Sequence, residues 1–60
     1  MYDTLPNDPV MLLSFVNTQL RDHYASFCEF CMVYMVDAGE LTEKLNTIDY
    51  VYDATQNQFV

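Results

Sequence analysis

The chain has 60 residues, 52% of them hydrophobic, and nine acidic side chains against two basic ones give a net charge of −7. This length predicts a single small domain, residues 1–60, which leaves few residues for an enzyme cleft once a core is built. The negative field repels phosphate backbones and anionic headgroups, so nucleic acid and membranes are disfavoured and a charged partner should be basic. We expect neither catalysis nor a cofactor.

The N-terminus does not have the pattern of a secretory leader. Tyr2 and Asp3 follow Met1 where a basic segment and an apolar run would be required. No apolar stretch approaches the roughly 20 residues needed to cross a bilayer. These features predict a complete cytoplasmic protein, in which Cys28 and Cys31 are reduced thiols.

The first helix is predicted to follow an irregular lead over residues 1–7, which Tyr2 and Leu5 could anchor. Asp8 is a preferred N-cap residue, and Pro9 suits the first helical position because its missing N–H is not needed there. At helical spacing, one face forms a core stripe of Leu12, Leu13, Val16, Leu20, His23 and Tyr24. The residues predicted to point away from it are Ser14, Asn17, Thr18 and Arg21.

Two further helices are indicated by capping boxes eleven residues apart. Ser26 with Glu29 marks the first box, and Asp37 with Glu40 marks the second. An apolar repeat at helical spacing follows each cap, so this stretch predicts a helix-turn-helix. The residues expected to face the core are Phe27, Phe30, Cys31 and Tyr34 in helix two, and Ala38, Leu41, Leu45 and Ile48 in helix three.

The last eleven residues change from helical to alternating periodicity. Residues 50–52 and 58–60 alternate and contain β-branched and aromatic side chains, and residues 53–57 between them are typical of a turn. This pattern predicts a short β-hairpin with Asn57 as a candidate for positive φ. The predicted fold is therefore mainly α (α+β): a three-helix helix-turn-helix bundle with a C-terminal β-hairpin, similar to a small winged helix.

Nearly the whole chain resembles a family of short, uncharacterised bacterial proteins classed as a domain of unknown function. The likeness is carried by Leu5-Pro6, Asp8-Pro9, Met11-Leu12-Leu13-Ser14, Val16-Asn17-Thr18, Leu20-Arg21-Asp22, Tyr24 and Asn57-Gln58-Phe59. This resemblance implies no assigned activity and no catalytic residues. One departure lies in helix two, where polar residues would be expected from the family and this chain has Cys28, Met32, Val33 and Tyr34.

The Cys28-x-x-Cys31 pair is a candidate redox or metal site. A thioredoxin-type site requires a βαβ setting that this pattern lacks, and the neighbouring Glu29 opposes a thiolate. Two cysteines are half of the four ligands that a structural zinc site needs. His23 and Asp22 could supply the other two, but their spacing from the cysteines does not require a zinc site. We therefore predict free thiols and no metal, with His23 at the edge of the core, bonded to carbonyls at the helix end.

The helix-turn-helix pattern raises DNA binding as an alternative function, in which a transcriptional regulator would need a basic partner. The third helix presents Asp37, Glu40, Glu43 and one Lys44, and the hairpin has no basic residue. A surface of this kind makes few phosphate contacts, so we expect no binding of nucleic acid by the isolated chain.

A protein-interaction or assembly module is the function that the sequence favours. The two helix wheels leave more apolar residues than one small core needs. The predicted interaction surface consists of Met11, Phe15, Cys28, Met32 and Met35. Because methionine-rich surfaces adapt readily and two-fold dimers are the commonest oligomers, we predict a protein partner, most simply a second copy in a homodimer.

Overall fold

The computed structural model describes residues 5–60 as three helices followed by a two-stranded hairpin. The elements are α1 (Pro9–Asp22), α2 (Phe27–Tyr34), α3 (Ala38–Asn46), β1 (Tyr52–Asp53) and β2 (Gln58–Phe59). This order confirms the predicted mainly α class with a C-terminal hairpin. The predicted anchoring of the lead by Tyr2 lies outside the described residues.

All three helices begin at the N-cap residue that the sequence indicates. Asp8 and Ser26 each accept a hydrogen bond from the backbone N–H three residues later, at 3.1 Å in both cases. Asp37 accepts from the Gly39 N–H at 3.0 Å. Glu29 accepts from the N–H of the residue before Ser26 at 2.9 Å, so this capping box is one residue wider than predicted. Such caps satisfy N–H groups that have no partner inside the helix.

The turn between α2 and α3 is a Schellman motif built around a methionine. Met35 has a φ of 57°, and its N–H donates to the Met32 carbonyl at 3.3 Å. The Val36 N–H donates to the Cys31 carbonyl at 3.1 Å, which is the second hydrogen bond of the motif. Glycine is usual at the left-handed position, because an L side chain there costs about 1 kcal/mol. The turn therefore holds the Met35 side chain outward at some cost in stability.

The hairpin extends one residue pair beyond its two strands. Val51 and Val60 exchange both backbone hydrogen bonds, at 2.9 and 2.8 Å. Asn57 in the connecting turn has a φ of 53°, which confirms its predicted positive φ. The antiparallel register pairs Tyr52 with Phe59 and Asp53 with Gln58.

The Asn17 side chain joins α1 to the free edge of β2. Its amide nitrogen donates to the Phe59 carbonyl at 3.1 Å, and its amide oxygen accepts from the Phe59 N–H at 2.8 Å. The side-chain amide of Asn17 thus bonds both backbone groups of Phe59, which is what the backbone of a neighbouring strand would do. Asn17 was predicted to point away from the core stripe of α1. It is instead half-buried, because the hairpin packs on that side of the helix.

A second asparagine satisfies the carboxyl-terminal end of α1. The Asn57 amide nitrogen donates to the carbonyls of Leu20 and Tyr24, at 3.1 and 2.9 Å. Its oxygen accepts from the Tyr52 hydroxyl at 2.6 Å, and that hydroxyl accepts from the Phe27 N–H at 3.2 Å. One connected network therefore serves the end of α1, the start of α2 and the hairpin turn.

The core is formed by all three helices and the last strand. Its buried members are Leu12, Val16, Leu20, Phe27, Phe30, Cys31, Leu41, Leu45 and Phe59. Phe59 is 1% exposed and meets the ring of Phe27 edge-on at 4.9 Å between centroids. Leu13 and Ile48, predicted as core residues, are half-buried. His23 is exposed rather than at the core edge, because α1 ends at Asp22 and the chain turns away there.

Candidate functional site

An apolar groove runs between α2, the start of α3 and β1. It has a volume of about 470 Å³ and is lined by Phe27, Cys28, Cys31, Met32, Val36, Asp37, Ala38 and Tyr52. Cys28 and Met32 lie one turn apart on the outer side of α2, and the Met32 residue is 73% exposed. Two of the five predicted surface residues are thus brought together at this groove.

Met35 lies beside this groove and extends its apolar surface. The Met35 residue is 84% exposed at the α2–α3 turn. It lines a second depression with Leu5, Pro6 and Val36, and Val36 and Asp37 belong to both depressions. We call Cys28, Met32 and Met35, together with the apolar groove, the α2 surface.

The two predicted surface residues of α1 do not line the apolar groove. Met11 is exposed, whereas Phe15 is half-buried and packs against the core. The Phe15 ring meets Phe30 and Tyr34 edge-on, with centroids 6.4 and 5.9 Å apart. The prediction that Phe15 lies off the core was therefore wrong. Helical periodicity cannot show this contact, because the second helix supplies it.

The two cysteines differ in their surroundings. Cys28 is exposed and Cys31 is buried, and both are free thiols. Burial, with a smaller contribution from the charge of Cys28, raises the pKa of Cys31 to about 11. The Cys31 thiol is therefore almost wholly protonated at neutral pH, which makes it a weak nucleophile and a poor metal ligand.

We expect the two thiols to react with an alkylating reagent in two separate phases at pH 8. Cys28 should react promptly because it is exposed, whereas Cys31 should react at least about 100-fold more slowly because it is buried and only about one part in a thousand is thiolate. Mass spectrometry of quenched iodoacetamide reactions measures both rates. A Cys28→Ser variant isolates the slow phase. Equal rates for the two thiols would contradict this assignment.

The helix-turn-helix presents an acidic outer surface. Asp37 at the N-cap of α3 is exposed, as are Glu40 and Glu43 on the helix, and Lys44 is half-buried. Arg21, the other basic residue, is bonded to the neighbouring Asp22 at 3.0 Å. Among residues 5–60, no group of three histidine, cysteine or acidic side chains lies close enough to hold a metal ion. The outer surface of the helix-turn-helix is therefore predominantly acidic.

A polar groove of about 520 Å³ separates α1 from the hairpin. It is lined by Ser14, Asn17, Thr18, Leu20, Arg21, Gln56, Asn57 and Gln58. The amides of Asn17 and Asn57 are engaged by backbone groups across this groove. We therefore assign both asparagines to the fold. Sequence reasoning missed these two roles, since only the positive φ expected of Asn57 gave a local signal.

Fold and surface together define a small three-helix domain with a C-terminal hairpin and an apolar groove beside α2. In the described part of the chain no helix has the length and apolar character needed to span a bilayer. Residues 6–59 match the family described as domain of unknown function (DUF4250), and the chain belongs to that family. No curated protein and no solved structure matches the chain.

Proposed function

We propose that this domain is a non-catalytic assembly module that binds a second copy of itself through the α2 surface. The observation that carries the proposal is the exposure of Met32 and Met35, at 73% and 84%, beside an apolar groove. Large apolar side chains next to one another on a small domain are typical of a binding surface. Methionine is suited to this role, because its flexible thioether adapts to the partner's shape.

The size of the domain limits the strength of this association. A standard protein–protein interface buries about 800 Å² on each partner, and the chain exposes 4028 Å² in total. Such an interface would cover about a fifth of the surface, which is more than three side chains supply. We therefore expect micromolar self-association that also uses elements next to α2.

Sedimentation equilibrium from about 5 to 500 μM tests the proposal. We expect a concentration-dependent dimer, and we expect Met32→Glu to weaken it at least about 10-fold, since the change buries an unpaired carboxylate at the interface. Val10→Glu is a matched control, because Val10 is an exposed valine on α1 that does not line the apolar groove. A monomer throughout the range would refute self-association.

The salt dependence separates this proposal from the alternatives. Two chains of charge −7 repel each other, and added salt screens that repulsion. Self-association should therefore strengthen between about 50 and 500 mM salt, whereas binding to a basic protein should weaken. Duplex DNA at about 50 mM salt provides the third comparison, and saturable binding there would favour the transcriptional regulator instead.

A further inference from the structure

The two outer edges of the hairpin differ in the hydrogen bonding of their backbone groups. On the β2 edge, the N–H and carbonyl of Phe59 are both bonded by the Asn17 amide. On the β1 edge, the backbone N–H and carbonyl of Tyr52 have no hydrogen-bond partner among residues 5–60. One edge is thus closed by a side chain, and the other is open with respect to residues 5–60.

The register shows that the Tyr52 backbone groups point outward. Residues facing each other in an antiparallel pair alternate between those that bond one another and those whose backbone groups point away. Val51 and Val60 bond one another, so the next pair, Tyr52 and Phe59, points away. The bonds from Asn17 to Phe59 confirm this alternation on the other strand. Tyr52 therefore presents one donor and one acceptor in the geometry that an added strand requires.

The open edge borders the apolar groove of the α2 surface. Tyr52 lines that groove together with Cys28 and Met32. Tyr50 is exposed and stands two residues before Tyr52, and side chains two residues apart share a face where the backbone is extended. A strand added at this edge would carry alternate side chains over the groove. Backbone pairing and apolar burial would then occur in one interface.

We propose that two copies of this chain join through their β1 edges, antiparallel about a two-fold axis at Tyr52, to form a four-stranded sheet. This inference rests on the proposed function, since it names how the second copy is bound. A two-fold axis satisfies the open N–H and carbonyl of both copies at once and leaves no open edge between them. It also places Tyr50 of each copy over the apolar groove of the other. This contact adds buried area to the interface, which the side chains of the α2 surface alone do not supply.

The register of this pairing separates like charges. With Tyr52 opposite Tyr52 of the second copy, Val51 lies opposite Asp53 of the second copy. The two Asp53 carboxylates are then diagonal neighbours rather than directly opposed. Val51 is 51% exposed and uncharged. It can therefore lie opposite Asp53 of the second copy without repelling that carboxylate and without leaving a polar side-chain group unpaired.

Amide hydrogen exchange on the unmodified protein tests the pairing directly. We expect exchange of the Tyr52 N–H to slow roughly ten-fold between about 5 μM and the concentration at which 90% of the protein is dimeric. The Val51 N–H is the internal control, because it bonds Val60 within one copy and should be protected at both concentrations. Sedimentation on the same samples reports the dimer independently.

Charge variants test the register. Val51→Lys should tighten the dimer about 2- to 10-fold by placing an ammonium opposite Asp53 of the second copy, and Val51→Glu should weaken it by a similar factor. Val60→Lys makes the same change of net charge at an exposed valine on the other strand, away from the β1 edge. We expect Val60→Lys to have less effect than Val51→Lys.

The outcomes are distinguishable. A dimer in which Tyr52 exchange does not change with concentration would overturn the edge pairing and leave the proposed self-association standing. A protein that stays monomeric would overturn both. Protection of Tyr52 in a monomer by an extended basic peptide would also overturn both, because it would make the occupant a strand from a different protein.

Discussion

Asn17→Asp is expected to destabilise the domain by about 2–4 kcal/mol at pH 7. The substitution keeps the shape of the side chain and the oxygen that accepts from the Phe59 N–H at 2.8 Å. It removes the donor to the Phe59 carbonyl and sets a carboxylate oxygen against it, where the two groups are now 3.1 Å apart. Since a core of this size supplies roughly 3–5 kcal/mol, much of the variant should be unfolded.

The sign of the pH dependence identifies the cause of this loss. A protonated carboxyl group can donate to the carbonyl, so the folded state raises the pKa of the new aspartate above its unfolded value. The stabilising bond is then present at low pH and is lost as pH rises through the folded pKa. The difference in free energy of unfolding between Asn17→Asp and the unmodified protein should therefore become smaller as the pH is lowered from 7 to 4.

Urea unfolding followed by circular dichroism measures that difference. The comparison is made at each pH, because hydrogen bonds from Arg21 and Gln56 lower the pKa of Asp22 and of Asp53, which makes both proteins less stable in acid. Thr18→Asp adds a carboxylate at the next, exposed position of α1 and should cost less than about 1 kcal/mol. An equal loss for both variants would contradict the role assigned to Asn17.

Phe59→Ala is expected to unfold the domain. The ring is 1% exposed and packs on Phe27 at 4.9 Å and on Tyr52 at 5.4 Å between centroids. Removing a buried phenylalanine costs about 3–5 kcal/mol through lost burial and the cavity left behind. That equals the whole stability expected for a core of this size.

Circular dichroism distinguishes this outcome from local loss of the hairpin. We expect the helical signal and the aromatic signal to disappear together in Phe59→Ala. Phe59→Leu fills most of the cavity and should remain folded with reduced stability. Val60→Ala, at the adjacent position that is 44% exposed, should change little. Retention of the full helical signal in Phe59→Ala would show that the helices fold without β2.

Local sequence signals predicted the elements of this fold well. Asp8, Ser26 and Asp37 were identified as caps because the groups that they satisfy lie within three residues of them. The positive φ of Asn57 was likewise visible, since asparagine tolerates that conformation and stands in a turn. Each of these signals depends on neighbours along the chain.

Contacts distant in sequence were not predictable by the same means. Asn17 bonds a residue 42 positions away, and no pattern near it distinguishes this role from that of an exposed polar residue. Phe15 stands off the core stripe of its own helix and packs on a neighbouring one. Met35 occupies the left-handed position at the end of α2, where glycine is usual. The sequence therefore contains no glycine that would mark this helix end. For the predicted interaction surface, helical periodicity indicated an excess of apolar residues, and only the fold separates Cys28 and Met32 from Phe15.

The bonds between Asn17 and Phe59 also bear on how the chain reaches its native state. Bringing residues 42 positions apart together costs roughly 3 kcal/mol of chain entropy beyond a constant. The two hydrogen bonds and the burial of the Phe59 ring offset this entropic cost only when α1 is already in its final position. Helices and hairpin should therefore form cooperatively, and the open edge of β1 exists only in fully folded molecules. Association through that edge would draw the folding equilibrium toward the native state as protein concentration rises.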